Sequence, residues 1–123
     1  VVKPKVSDAF VCQMDLLASF ASLLGQSYPD KLDSQNTLKA FLGKSRKGRE
    51  GLVIEGMFNY AYRKGDWALI PPYRKEKVYK LYNLKNDIGQ QYDVADKYPQ
   101  KVRELIKEFE SLKQYTGKRT KFQ

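Results

Sequence analysis

Between residues 58 and 72 the chain reads FNYAYRKGDWALIPP, a stretch with few ways to fold. Phe58, Tyr60 and Tyr62 alternate with Asn59, Ala61 and Arg63, the period of a strand with two unlike faces. Lys64-Gly65-Asp66 then offers a tight connection in which Gly65 can take positive φ, and WALI returns as a second strand. Pro71 and Pro72 stop that strand, since neither can donate to a ladder. A hairpin is fixed here by local chemistry. Trp67, with Leu69 on its own face, is expected as a core anchor paired across the turn with Phe58, Tyr60 and Tyr62.

The flanking segments extend this sheet. LVIEG, after Gly51, is short and β-branched, and KVYKLYNL sets Val78, Lys80 and Tyr82 against Tyr79 and Leu81. KNDIGQ supplies a turn through Asn86, Asp87 and Gly89. From Pro99, suited to a first helical turn, Val102, Leu105, Ile106, Phe109 and Leu112 recur at helical spacing until Gly117. The polar tail after it is expected to fray.

Towards the N-terminus, VVKPKVSDAFV reads as extended. Leu16, Leu17, Phe20, Leu23 and Leu24 then form one apolar stripe on a helix, with Asp15 as its expected N-cap and Gly25 as its stop. Such a helix is expected to be buried or docked. Asp33 or Ser34 is the expected cap of a short helix through Leu38, Phe41 and Leu42, closed by Gly43. The layout is α+β: three or four antiparallel strands forming one small sheet, with a long C-terminal helix over one face.

Chemistry is sparse. The net charge of +9 favours encounters with anions, including nucleic acid and sulfated or phosphorylated ligands. There are no histidines, which removes the commonest general base and transition-metal ligand. The lone Cys12 sits among Phe10, Val11 and Met14 with no histidine to activate it, and reads as an inert thiol. Gly43-Lys44-Ser45 looks like the end of a phosphate-binding loop, but Leu38 stands where that motif needs its first glycine. Asp30 with Asp33, or Asp87 with Asp93 and Asp96, lack calcium-loop spacing and read as caps and Asx-turns. No catalytic residue and no metal ligand is assigned. No apolar run approaches the ~20 residues that span a bilayer. On composition alone, one class stays open: a stand-alone basic module that binds polyanions or nucleic acid.

Read in order, five segments resemble the sulfatase family, the arylsulfatase-like branch of the alkaline phosphatase superfamily. SDAFVCQMDLLASFASLLG is similar to the family's strand leading into DL-P-TLL-LAG, with Ala18-Ser19 where Pro-Thr is frequent. LDSQNTLKAFLG resembles the segment that follows, and Arg49-Glu50 with LVIEG the next strand. YRKGDWALI is similar to R-G-W-K-L-I, with Ala68 where lysine is usual. LYNLKNDIGQQYDVADKYPQKVREL resembles LYDL-DP-E--NLA--YP-VV--L, with Ile88, Gln90 and Asp93 replacing Pro, Glu and Asn.

The resemblance implies a C-terminal portion only. Cys12 is followed by Gln-Met-Asp, so the formylglycine motif Cys/Ser-x-Pro-x-Arg is not met, and the family's calcium-binding aspartate pair is not seen. Formylglycine and calcium are expected in a preceding N-terminal part. Residues 1–27 are expected to end a parent catalytic α/β domain, and 28–123 to form the C-terminal subdomain. The chain alone is expected to be inactive as a sulfuric ester hydrolase. Its partners would be the parent's catalytic domain and a sulfated substrate such as a glycan, with nucleic acid and membrane disfavoured. The basic residues Arg46, Lys47, Arg49, Arg63, Arg74 and Lys75 are candidates for a substrate rim. Residues 15–25 are apolar enough to need a cover, so an isolated chain is expected to hide them against itself or against a second copy. Export of the parent, to periplasm or outside the cell, is a further expectation from the resemblance.

Overall fold

The computed structural model describes residues 4, 6–29, 33–57 and 59–115, with side chains to 112. The expected roles of Asp30, Phe58, Gly117 and the tail fall outside these residues. The chain forms two compact units, Val1–Glu50 and Gly51–Gln123.

In the first unit, residues 6–12 form no regular structure, so the extended run does not become a strand. One of its anchors is the Arg49 amide, which donates to the Phe10 carbonyl at 2.7 Å. Gly48 makes that approach possible, because a Cβ there would lie 2.0 Å from the Phe10 oxygen. A 3-10 turn, Gln13–Asp15, leads into helix α1, Leu16–Leu23. Gly25, at φ 66°, ends it as expected. The Gly25 amide donates to Ser22 and the Gln26 amide to Ala21, satisfying two of the helix's last carbonyls. Helix α2 is a single turn, Leu38–Phe41, and Gly43 at φ 66° closes it.

Three N-terminal expectations are corrected. Asp15 is not a side-chain cap for α1; its carboxylate serves more distant partners. Neither Asp33 nor Ser34 caps α2, where the Asn36 carboxamide oxygen accepts from the Leu38 amide instead. The face that α1 buries holds Asp15, Ala18 and Ser19, while Leu17, Phe20, Leu23 and Leu24 are 54–71% exposed. The cause lies in residues 34–37, which hydrogen-bond to the polar side. Ser34 Oγ accepts from the Ala18 amide at 2.9 Å, one of the orphan donors of the first helical turn. Ser19 Oγ accepts from the Thr37 amide at 3.1 Å. A small-residue face lets that segment come close; a leucine face would hold it off.

The second unit is the expected α+β layer pair. Strands β1 (Gly51–Glu55), β2 (Tyr60–Lys64), β3 (Trp67–Ile70) and β4 (Lys80–Asn83) form one antiparallel meander in sequence order. Lys64 pairs with Trp67, so the hairpin loop is Gly65-Asp66, with Gly65 at φ 54°. Val53, Tyr62, Leu69 and Leu81 line up as one row across all four strands. Helix α3, Pro99–Tyr115, lays Leu105 and Phe109 onto that row, and all of these but Val53 are buried. Phe109 lies 6.3 Å, ring to ring, from both Tyr60 and Tyr62.

Trp67 packs against this core, but its ring partner is Tyr98, edge-on at 5.1 Å, rather than a tyrosine of the neighbouring strand. β4 is shorter than the alternation from Val78 suggests, and Val78 itself is exposed. The outer edge of β4 is covered without a fifth strand: Asp93 Oδ1 accepts from the Leu81 amide at 3.0 Å, and the Val94 amide donates to the Leu81 carbonyl. A sheet edge that would otherwise invite pairing is thereby closed.

Candidate functional site

The six basic candidates fall into three situations. Arg49 is committed within the first unit: its guanidinium pairs with Asp15 and donates to the Asp33 carbonyl at 3.0 Å, with 7% of the side chain exposed. The structure thus places it in a buried ion pair. Arg46 and Lys47 are exposed on the loop after α2. That loop is ordered by Ser45, whose hydroxyl accepts from the Lys47 amide at 2.9 Å. The Lys44 and Ser45 amides both donate to the Lys39 carbonyl. Those amides cap α2, which is the local reason Gly43-Lys44-Ser45 is no phosphate cradle.

Arg63, Arg74 and Lys75 belong to the second unit. Arg63 sits on β2, opposite Leu52 and Ala68, half-buried, on the sheet face away from Tyr62. Arg74 and Lys75 are exposed together in the turn beyond Pro71-Pro72, closed by the Glu76 amide donating to Tyr73 at 3.0 Å. Arg74 has φ 56°, a left-handed conformation uncommon for a residue with a Cβ. Its Nε donates to the Tyr73 hydroxyl at 2.9 Å, and its guanidinium lies 4.9 Å from that ring's centroid. The turn therefore presents an arginine in a fixed pose beside a lysine, the geometry that suits an anionic oxygen cluster. Sequence reading marked Arg74 as basic; its backbone strain and its aromatic seat carry no sequence signal beyond the preceding Tyr73.

Glu108, Tyr79, Asp87 and Asp93 have partners within the second unit. Glu108 on α3 accepts from Tyr62 at 3.0 Å and pairs with Lys64. Partial burial pushes its carboxyl upward, but the hydrogen bonds from Lys64 and Tyr62 outweigh it and hold the carboxyl below the usual glutamate range. The Tyr79 hydroxyl is pushed upward by burial, then by the charge of Glu110 and its hydrogen bond to that carboxylate. Asp87 accepts from the Gln91 and Tyr92 amides, and Asp93 from Leu81 and Ala95, the Asx role expected of turn aspartates. Among the described residues no three His, Cys, Asp or Glu side chains cluster as metal ligands. Nor, among them, is any helix long and apolar enough to cross a membrane.

Comparison with known proteins gives these features a context. No family model matches the chain. It is similar to the N-acetylgalactosamine-6-O-sulfatase of Bacteroides thetaiotaomicron, 34% identical over 128 residues, which covers 91% of this chain and 25% of that protein. A solved sulfatase structure from work on glycosaminoglycan metabolism by the same organism superposes with a TM-score of 0.82 at 33% identity, covering 92% of this chain and 27% of that one. A 2-O glycosaminoglycan sulfatase shares the fold at TM-score 0.64 and 18% identity, over 84% of this chain and 25% of that one. So does an enzyme solved with D-glucosamine-2-N,6-O-disulfate, at TM-score 0.60 and 21% identity, over 82% and 23%. The chain spans about a quarter of the length of the relatives it matches. The meander with its long helix is thus an arrangement found at the C-terminal end of such enzymes. The chain is homologous to sulfatases over a stretch that fits their C-terminal portion.

Proposed function

We propose that the chain serves as the C-terminal part of an arylsulfatase-like sulfuric ester hydrolase acting on a sulfated glycan, and that it has no turnover alone. The observation that carries this reading is the 34% identity to a sulfatase over 91% of the chain. In it, formylglycine and calcium belong to the larger part of the enzyme, residues 1–27 contribute to its α/β domain, and the sheet and α3 form the subdomain beside it. The parent would be exported, where sulfated glycans are met.

Within that reading Arg74 and Lys75 are the best-supported rim contacts, because a strained backbone held by a side-chain seat is a frequent companion of function. Arg46 and Lys47 are weaker candidates, since nothing fixes their side chains towards a ligand, and Arg49 is withdrawn from the set. The polyanion-binding alternative has only the +9 charge in its favour.

The test has two arms. The chain alone, with calcium and an aryl sulfate ester, is expected to release no sulfate; turnover would overturn the reading. A chimera in which the chain replaces the matching quarter of the Bacteroides enzyme is expected to retain sulfatase activity.

A further inference from the structure

The segment entering β4 and the opening turns of α3 leave a groove of about 390 Å³ between them, all of it within the second unit. That volume lies at the lower end of the ~300–1,000 Å³ of small-ligand sites, room for a short ligand and not a long one. Val78, Tyr79 and Pro99 give the groove apolar walls, and Val78 is 67% exposed there. The Tyr79 hydroxyl donates to Glu110, so this residue offers the groove its ring. Lys77, Arg103 and Asp96 are the charged groups of the lining.

Those three differ from the charges around them. Lys80 pairs with Glu76, and Lys101 with Glu104. Among the described residues, Lys77, Arg103 and Asp96 have no ion-pair or hydrogen-bond partner. Two uncommitted cations beside apolar walls suit the oxygens of an anionic group. Asp96 would repel a bare anion, but an ionised carboxylate is an acceptor that hydroxyl donors satisfy. One ligand class brings all three features: a saccharide, with hydroxyls and apolar C–H faces, that carries an anionic ester.

We propose that this groove binds a short sulfated saccharide. Lys77 and Arg103 take the sulfate oxygens, Asp96 accepts from ring hydroxyls, and the sugar ring rests against Tyr79 and Pro99. None of these residues belongs to the rim set argued above. The choice of sulfate over phosphate rests on the sulfatase reading; the rest of the inference stands on the groove.

The experiment titrates the chain with glucose 6-sulfate and follows its amides by NMR. Residues 77–79 and 96–103 are expected to shift. Lys77→Ala plus Arg103→Ala should weaken binding by about tenfold or more, the scale of lost charge-assisted hydrogen bonds. Arg46→Ala plus Lys47→Ala removes the same charge from the first unit and should change it less than about twofold. Asp96→Asn should lower the preference for glucose 6-sulfate over inorganic sulfate several-fold. Unmoved groove amides, or equal losses from the two charge pairs, overturn the inference. So does glucose or inorganic sulfate binding as tightly as glucose 6-sulfate. Tighter binding of glucose 6-phosphate or adenosine monophosphate assigns the groove to a phosphorylated ligand and overturns it too. Any of these failures leaves the sulfatase reading standing on the chimera's turnover. An inactive chimera with groove binding intact defeats that reading and not this one.

Discussion

Arg49 reaches back across 34 residues of sequence to pair with Asp15, whose side chain has no exposed surface. Around that carboxylate converge the amides of Cys12 and Gln35, so one aspartate joins the entry to α1, the segment before α2 and the end of the basic loop. A buried charge satisfied on several sides is stable as a set and costly to break singly.

Asp15→Ala should therefore destabilise the first unit by about 3–5 kcal/mol, because it strands the Arg49 guanidinium. Hydrogen exchange reads this directly. The amides of Gln35 and Thr37 should lose protection while those of β2 and β3 keep theirs. Unchanged protection at Gln35 and Thr37 would show that the ion pair is dispensable.

Gly48→Ala should also loosen the first unit, since its new methyl would meet the Phe10 carbonyl at 2.0 Å, a backbone atom that cannot swing aside. Urea unfolding is the check. The control is a substitution at the exposed, neighbouring Lys47, expected to stay within about 0.5 kcal/mol of wild type.

In the second unit, Phe109→Ala should cost about 3–5 kcal/mol, whereas Leu112→Ala, 41% exposed on the same helix, should cost well under half of that. Equal losses in urea titrations would contradict the placement of α3 on the Tyr62–Leu69–Leu81 row.

Glu108 ties acid stability to the junction of β2 and α3. Its folded pKa lies below the ordinary 4.5, so ionisation favours the folded state. That contribution is fully present above about pH 4.5 and is lost as pH falls through the folded value. Glu108→Gln should flatten the decline in Tm between roughly pH 5 and 3. The pair is a third exposed, so the change should be modest and should shrink with added salt.

Arg74→Gly separates strain from function. Glycine takes positive φ without penalty, so stability should hold or rise by up to about 1 kcal/mol, less what the Tyr73 contacts contribute. In the chimera, KM for a sulfated glycan should rise several-fold with little change in kcat. An unchanged KM would return Arg74 to the solvated surface.

Much of this molecule was legible in its residues. Alternation from Tyr60, the Gly65 hairpin, the proline stop and the α3 period are local patterns, and each appears where the spacing puts it. The ordered segments that resemble sulfatases were legible too. The side of α1 that is buried could not be read, because periodicity reports that a helix has two faces and not which one finds a cover. The answer came from Ser34 and Thr37, 16 and 18 residues from their partners. Arg49 looked like part of a basic loop, and only its pairing with Asp15 removed it from the surface. Trp67 looked like a cross-strand partner until the turn before α3 brought Tyr98 to it. Sequence set the elements because propensity and turn chemistry act over a few residues. The tertiary structure decided which polar groups are spent in the interior and which stay outside, because buried charges and hydrogen bonds choose partners in space.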